Sequence, residues 1–284
     1  MRSEAHDGTD VVVFAPLMEE CAAFLKIAKP AWVEDEPNAD LKFLMRPREL
    51  FEISGHVICP DAMGRTEAAI AVTKACILYR PRLVIVCGRA GGLRYWGNSA
   101  RRLSIGDVIV TTKLVDLDIR KMTRYGIDDV RPRVPDLAGE ELACAEEVAK
   151  SKWWRFLPEN KKNPKAHFGS VISGNIILAS ETMQAEMAEL LAEHAHFYRR
   201  PPIGIEMEGI GAAMAVLRLR NEQQFFDLRL IMIRGISDFA DSHKNLDELH
   251  GRHLSSLSAA SFAVSYLLRY FGCPGQPQKT VDLD

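Results

Sequence analysis

The sequence lacks an apolar run long enough to cross a membrane, because none of its segments approaches the roughly 20 consecutive apolar residues that a helix needs for this. The first apolar run follows a polar, acidic stretch over residues 1–10 and stops at Glu19 and Glu20. It is too short to be the apolar core of a secretory signal. We therefore expect a soluble protein with no membrane partner.

The sequence also lacks paired-cysteine motifs. Its six cysteines are scattered, and none forms a C-x-x-C motif or lies at zinc-ligand spacing from a histidine. Several fall inside apolar runs, which favours buried, reduced thiols and a cytoplasmic protein. We expect no metal and no other cofactor.

Neither sign of charge dominates, since 36 lysines and arginines stand against 38 aspartates and glutamates. This balance produces no overall field that would favour nucleic acid as a partner. The chain also has no internal repeat or low-complexity tract. Any site that binds an anion must therefore be local.

Apolar strands alternate with helical patterns along the chain, which predicts a largely parallel sheet with helices on both faces. The predicted strands cover residues 11–14, 51–59, 82–87, 106–112, 168–172 and a segment that starts at 231; the predicted helices cover 18–27, 65–79, 180–195 and 254–271. We expect one domain over residues 10–272, in which 120–165 form an insertion or flap. The tail over 273–284 is predicted to be disordered.

The segment that starts at Ile231 is the most informative. A β-branched run opens onto Arg234, Ser237 and Asp238 within a few residues. Buried ionisable groups are costly unless they are paired or functional, so the pattern indicates a strand that delivers a carboxylate into a cleft. The alternative is that Ser237 and Asp238 only cap the next helix.

Three other polar segments follow apolar strands, where α/β sheets bind their ligands. Glu19 lies at the first strand-to-helix turn, although an acidic residue there also suits a helix dipole. Gly88 to Gly92 is predicted to be an anion-binding turn around Arg89, but it has neither the Rossmann nor the P-loop spacing. Glu206 and Glu208 flank Met207 on an extended segment, which points both carboxylates the same way and suggests hydroxyl recognition.

Seven segments in this order resemble motifs of the nucleoside phosphorylase and nucleosidase superfamily. They are Ala15 to Glu19, Met63 to Arg65, Gly88 to Leu93, Gly106 to Val110, Ser173 to Asn175, Ile205 to Gly209 and Arg234 to Asp241. The resemblance implies a three-layer α/β/α sandwich around a twisted, mixed and mostly parallel sheet. The form of residues 234–245 looks most like phosphorylase-like modules of fungal NLR-type receptors and of bacterial antiphage defence systems.

The resemblance implies a role for each motif. Asp238 would protonate the purine N7 and Ser237 would orient it, because the base departs with negative charge. Glu208 would accept hydrogen bonds from the ribose hydroxyls and Met207 would pack beneath the sugar. Glu19 would deprotonate water, with Arg234 beside that water.

The remaining substrate contacts are also implied by the resemblance. Ala90, Gly91 and Ile177 would lie around the base, although related hydrolases have an aromatic residue at the position of Ile177. They also have a small serine at the position of Arg89, so Arg89 suggests an additional anion contact and a 5′-phosphorylated substrate.

A carboxylate at Glu19 would repel phosphate, which favours water as the nucleophile. We therefore expect an N-ribohydrolase that acts on a purine nucleotide or nucleoside, releases the base and serves as a nucleotide-depleting defence effector. The alternatives are a phosphate-dependent phosphorylase, a methylthioadenosine/S-adenosylhomocysteine nucleosidase and a nucleotide sensor without turnover. The family likeness also suggests a homodimer or a higher homo-oligomer.

Overall fold

The computed structural model describes residues 8–35, 40–48, 51–93, 95–96, 99–100, 103–116, 120–123, 126–130, 137, 139–157, 163–175, 178–192, 201–242 and 248–272. Its strands are β1 Val11–Phe14, β2 Trp32–Asp35, β3 Leu41–Arg48, β4 Phe51–Ile58, β5 Leu83–Gly92, β6 Tyr95–Trp96, β7 Ser99–Ala100, β8 Val108–Asp116, β9 Arg120–Thr123, β10 Gly126–Val130, β11 Ala166–Ser173, β12 Gly204–Glu206 and β13 Arg229–Asp238. Its helices are α1 Met18–Ala28, α2 Arg65–Tyr79, α3 Glu140–Lys150, α4 Glu181–Ala192, α5 Gly209–Leu219 and α6 Glu248–Gly272, with 3₁₀ helices at Trp153–Phe156 and Gln223–Phe225.

Nine of the strands form one mixed sheet in the order β12-β11-β8-β13-β5-β1-β4-β3-β2. Strand β12 also pairs with β5, so β5, β13, β8, β11 and β12 close into a ring. The central pairs β4–β1, β1–β5 and β5–β13 are parallel. In this ring, residues at the ends of β5, β12 and β13 lie close to one another.

Helices cover both faces of the sheet, because alternate residues of the central strands point to opposite sides. On one face, Val11, Val13 and Ile85 pack with the helices α1, α3 and α6. On the other face, Val12 and Val84 pack with α2 and α5. The predicted α/β architecture is confirmed.

The segment predicted to be a flap is divided in the structure. Strands β9 and β10 pair only with each other in the part of the chain that the structure describes. In contrast, Trp153 is 1% exposed and stacks edge-to-face on Phe262 of α6, with ring centroids 5.2 Å apart. Helix α3 and Trp153 thus belong to the core, which corrects the prediction for that part of residues 120–165. The charged residues around Trp153 obscure this apolar contact in the sequence.

The predicted tail at 273–284 lies outside the described residues. Within them, no helix has both the length and the apolarity that a membrane crossing requires.

Candidate active site

The strands β5 and β13 bring two polar segments side by side. Their parallel register pairs Arg234 with Gly88, and Asp238 with Gly91. Between Ile236 and Asp238 the register shifts by one residue, so Ser237 is an extra residue in β13. Such a bulge turns the following side chain out of the regular alternation. Asp238 is consequently aimed at the strand end, where Gly91 lies.

Asp238 is held by two neighbours at this strand end. The Ser237 hydroxyl donates to Asp238 Oδ2 at 2.8 Å, and the Ala240 backbone N–H donates to Oδ1 at 2.9 Å. A Cβ placed on Gly91 would lie 3.1 Å from Asp238 Oδ1, so a side chain there would crowd the carboxylate. These contacts place Ala90, Gly91, Ser237 and Asp238 together, as the sequence predicted.

Arg234 lies at the centre of a buried cluster of carboxylates. Its side chain is fully buried, forms an ion pair with Glu206, and lies 3.6 Å from Glu208 Oε2. Its Nε and Nη1 atoms are buried and have no hydrogen-bond partner among the described residues. The nearby carboxylates of Glu206, Glu208 and Glu20 raise the pKa of Arg234, although burial alone would lower it. Arg234 is therefore charged and has donors left for a further acceptor.

Glu206 has a different role from the one its position predicts. Its carboxylate accepts the backbone N–H groups of Glu208 and Gly209 at 2.8–3.0 Å, in addition to its contact with Arg234. These bonds bind the first N–H groups of α5. We therefore correct the expectation that both glutamates face a ligand, because Glu206 is engaged by the protein itself.

Glu208 has fewer protein partners. It accepts the Gly64 backbone N–H at 3.2 Å and is 6% exposed. Burial, supported by the nearby Glu206 and Glu20 and opposed by Arg234, raises the pKa of Glu208 to about 7. Met207 beside it is partly exposed. With a pKa of about 7, Glu208 is only partly ionised at neutral pH, and its carboxylate form can accept further hydrogen bonds.

Glu20, not Glu19, reaches this cluster. The Glu20 side chain is 3% exposed and accepts the backbone N–H groups of Arg89 at 2.9 Å and of Leu17 at 3.1 Å. Burial raises its pKa, while Arg234 and Arg89 oppose that rise. The Glu19 side chain is 55% exposed and contacts only the outer end of Arg89 in the described structure. The sequence prediction therefore selected the neighbouring residue.

A helical pattern identifies Glu20 once α1 is placed. Ala23, Phe24 and Ile27 are buried and lie three, four and seven positions after Glu20, on the same face of the helix. Glu19 falls beside that face.

The glycine-rich segment is not the turn that its composition suggests, because Gly88 to Gly92 continue β5. The glycines are needed for space: a Cβ on Gly88 would lie 2.6 Å from Arg234 Nη1 and 3.0 Å from Glu20 Oε1. Arg89 within the segment forms ion pairs with Glu19 and Glu20. Its charge is therefore already compensated by two carboxylates.

Two further residues complete the account of the motifs. Arg65, at the end of the motif Met63 to Arg65, makes a bidentate ion pair with the buried Asp116, at 3.0 Å for both bonds. Ile177, which the resemblance would put beside the base, falls outside the described residues.

A family model described as the phosphorylase superfamily matches residues 19–269. The chain belongs to this superfamily. Among relatives in the superfamily, a 5′-methylthioadenosine/S-adenosylhomocysteine nucleosidase of Listeria welshimeri is 26% identical over 254 residues, which cover 88% of this chain and 95% of the relative. The nucleosidase of Staphylococcus haemolyticus is 25% identical over 244 residues, which cover 85% and 93%.

Solved structures share the fold of this superfamily member. The nucleosidase of Colwellia psychrerythraea, solved with adenine, superposes with a TM-score of 0.68 at 18% identity and covers 93% of this chain and 96% of its own. Futalosine hydrolase of Helicobacter pylori superposes with a TM-score of 0.67 at 19% identity and covers 93% and 99%. The sequence and structure comparisons therefore span nearly the whole chain.

Proposed function

We propose that this chain hydrolyses the N-glycosidic bond of an adenine nucleoside or nucleotide and releases the free base. The observation that carries the proposal is that β5 and β13 hold Asp238 at their ends and, four positions earlier along β13, Arg234 in a cluster with Glu20 and Glu208. Cleavage of such a bond needs an acid for the leaving base and a base for the attacking water. The named relatives, which are nucleosidases and a futalosine hydrolase, support the same reaction class.

In the proposed mechanism the bond between C1′ and the purine nitrogen breaks, and a bond between C1′ and the water oxygen forms. Asp238 transfers a proton to the departing base, while Ser237 keeps its carboxyl oriented. Glu208 accepts hydrogen bonds from the ribose hydroxyls, and Met207 packs against the sugar. These contacts support the positive charge that develops on the ribose.

Glu20 replaces Glu19 as the residue proposed to take the proton from water. A buried carboxylate with a raised pKa is a stronger base than an exposed one, which suits this task. Arg234 lies in the same cluster with buried N–H groups that have no partner among the described residues. These donors can hold the oxygen of the attacking water.

The charges of the cluster favour water over phosphate. Glu20, Glu206 and Glu208 contribute three carboxylates, and Arg234 and Arg89 contribute two guanidinium groups that form ion pairs with them. A phosphate dianion would have to approach these carboxylates at short range, and like charges at such distances are costly.

The paired state of Arg89 weakens the reason for preferring a 5′-phosphate. Its guanidinium contacts Glu19 and Glu20, and its buried Nη1 has no hydrogen-bond partner among the described residues. A substrate phosphate could use that donor, but it would compete with both carboxylates for the charge. We therefore propose nucleosides and nucleotides together as the substrate class.

The test is to separate the products of adenosine, AMP, ATP, methylthioadenosine and guanosine by chromatography, each with and without phosphate. The proposal expects adenine and a free reducing sugar without added phosphate, and release slower by about 10²–10⁴-fold from the Asp238→Asn variant. Adenine that appears only with phosphate would establish a phosphorylase instead. Binding of these compounds without any base release would establish a sensor.

We also propose that the protein is a cytoplasmic homo-oligomer. We further propose the defence role that the motif at residues 234–245 suggests. Helix α2 carries Ile70, Ile77 and Leu78, each more than half exposed, and an apolar patch of this kind suits a second copy. Light scattering of the wild type and of Ile77→Glu tests the oligomer, since the variant should have the smaller molar mass.

The defence role is tested by induced expression. Loss of cellular ATP with the wild type, but not with Asp238→Asn, would support the role; unchanged ATP would refute it.

A further inference from the structure

Glu19, Arg89 and Glu20 form a chain of ion pairs between the start of α1 and β5. The Arg89 Nε donates to Glu20 Oε1 at 3.2 Å, and its Nη2 contacts the Glu19 carboxylate. The Arg89 side chain is only 11% exposed. Its charge therefore acts on Glu20 with little screening by solvent.

The same contacts restrict how Glu20 can use its oxygens. Oε1 receives two N–H groups from Arg89, and Oε2 receives the Leu17 N–H at 3.1 Å. A carboxylate offers about four lone-pair directions. Donors among the described residues occupy three, which leaves about one direction for a further donor such as water.

We propose that Arg89 is a positioning residue that holds Glu20 as an oriented carboxylate with a single acceptor direction open to the attacking water. This inference rests on the proposed function, because it names what keeps the proposed base ready. It also gives Arg89 a task that does not involve the substrate's 5′ group.

Several ionisable groups face Glu20, and Arg89 is one of two positive charges among those that the structure describes. The groups are Arg89 and Cys87 on β5, Arg234 on β13, Cys59 after β4, Cys21 on its own helix, and Glu208 at the start of α5. Burial raises the pKa of Glu20, and Arg89 and Arg234 oppose the rise. Removal of Arg89 must therefore raise that pKa further, so a higher pH is needed to keep Glu20 charged.

The experiment compares Arg89→Gln and Arg89→Lys with the wild type. For Arg89→Gln we expect the acidic limb of the kcat profile to move upward by about one to two pH units. At pH values below that limb, kcat should fall by the same factor for adenosine and for AMP. Arg89→Lys should return the limb most of the way to its wild-type pH, because lysine keeps the positive charge. Arg46→Gln is the matched control, since Arg46 forms an exposed ion pair with Glu52 at 2.7 Å and lies on β3, outside the proposed site.

A second readout does not need turnover. In protein labelled with ¹³C at glutamate, the Glu20 signal is assigned with Glu20→Gln and titrated in the wild type and in Arg89→Gln. A higher titration midpoint in the variant supports the inference even if no substrate is cleaved, in which case only the proposed function fails. An unchanged midpoint and acidic limb would overturn it. So would a rise in KM for AMP alone, because Arg89 would then act on the phosphate.

Discussion

The exchange of Glu20 and Glu19 for glutamine separates two adjacent carboxylates that the structure places in different surroundings. Glu20→Gln keeps the shape and its carbonyl oxygen can still accept the N–H groups of Arg89, but its amide nitrogen cannot accept the Leu17 N–H and its carboxamide cannot take a proton. Loss of a general base costs about two to four orders of magnitude in rate, which is about 3–5 kcal/mol in activation free energy. Glu19→Gln removes a half-exposed partner of Arg89 and should change kcat by less than about threefold.

The assay is steady-state release of adenine from both variants at one pH, together with calorimetric binding of a substrate analogue. Binding should persist in both variants, because neither residue is assigned to the base or the ribose. Equal melting temperatures within a few degrees would show that Glu20→Gln remains folded. A slow Glu19→Gln variant beside a fully active Glu20→Gln variant would refute the reasoning and restore Glu19 as the base.

Three other predictions follow from the described contacts. Asp238→Asn should lower kcat by about 10²–10⁴-fold with KM little changed, and Ser237→Ala by less; steady-state kinetics check this, and a wild-type rate in Asp238→Asn would remove its role as the acid. Glu208→Gln should weaken binding and rate. Because the pKa of Glu208 is raised in the folded state, the wild type loses stability as the pH rises from about 4.5 through about 7, so the stability of the variant relative to the wild type should rise over that range. The gain, measured by denaturant titration, can reach about 3 kcal/mol, and a pH-independent difference would contradict the prediction. Trp153→Ala should destabilise the fold by about 3–5 kcal/mol, whereas exchange of exposed Phe226 for alanine should cost far less; equal midpoints in urea would show that Trp153 is not part of the core.

Local patterns were sufficient for many of the elements. The predicted strand at 11–14 and helix at 65–79 agree with β1 Val11–Phe14 and α2 Arg65–Tyr79. The strand is a continuous apolar run and the helix is rich in alanine, a strong helix former. The predictions missed β2, β3 and α5.

The structure agrees with the expected placement of site residues where a residue follows a strand and differs from it where packing decides the direction of a side chain; the roles of these residues stay predictions. Asp238 lies near Gly91 because both follow the apolar parts of neighbouring strands. Glu206 was expected to face a ligand, yet it binds Arg234 and the start of α5. Alternation along an extended segment predicts the side to which a side chain points. It does not predict the residue that binds the side chain there, because that residue belongs to another strand.

The sequence alone thus determined the α/β class, which depends on local periodicity, and the order of the motifs, which is read from the residues themselves. The site residues came from the resemblance of those motifs to a known superfamily and stay predictions. Only the tertiary structure decided that Glu20 rather than Glu19 enters the cluster and that Arg89 is bound by both carboxylates. It also decided that Gly88 lies in a strand and leaves space for Arg234. Glu20 and Arg89 are 69 positions apart in sequence, and their contact arises from how α1 packs on β5. Strand register, the bulge at Ser237 and helix packing set such distances, and no local pattern contains them.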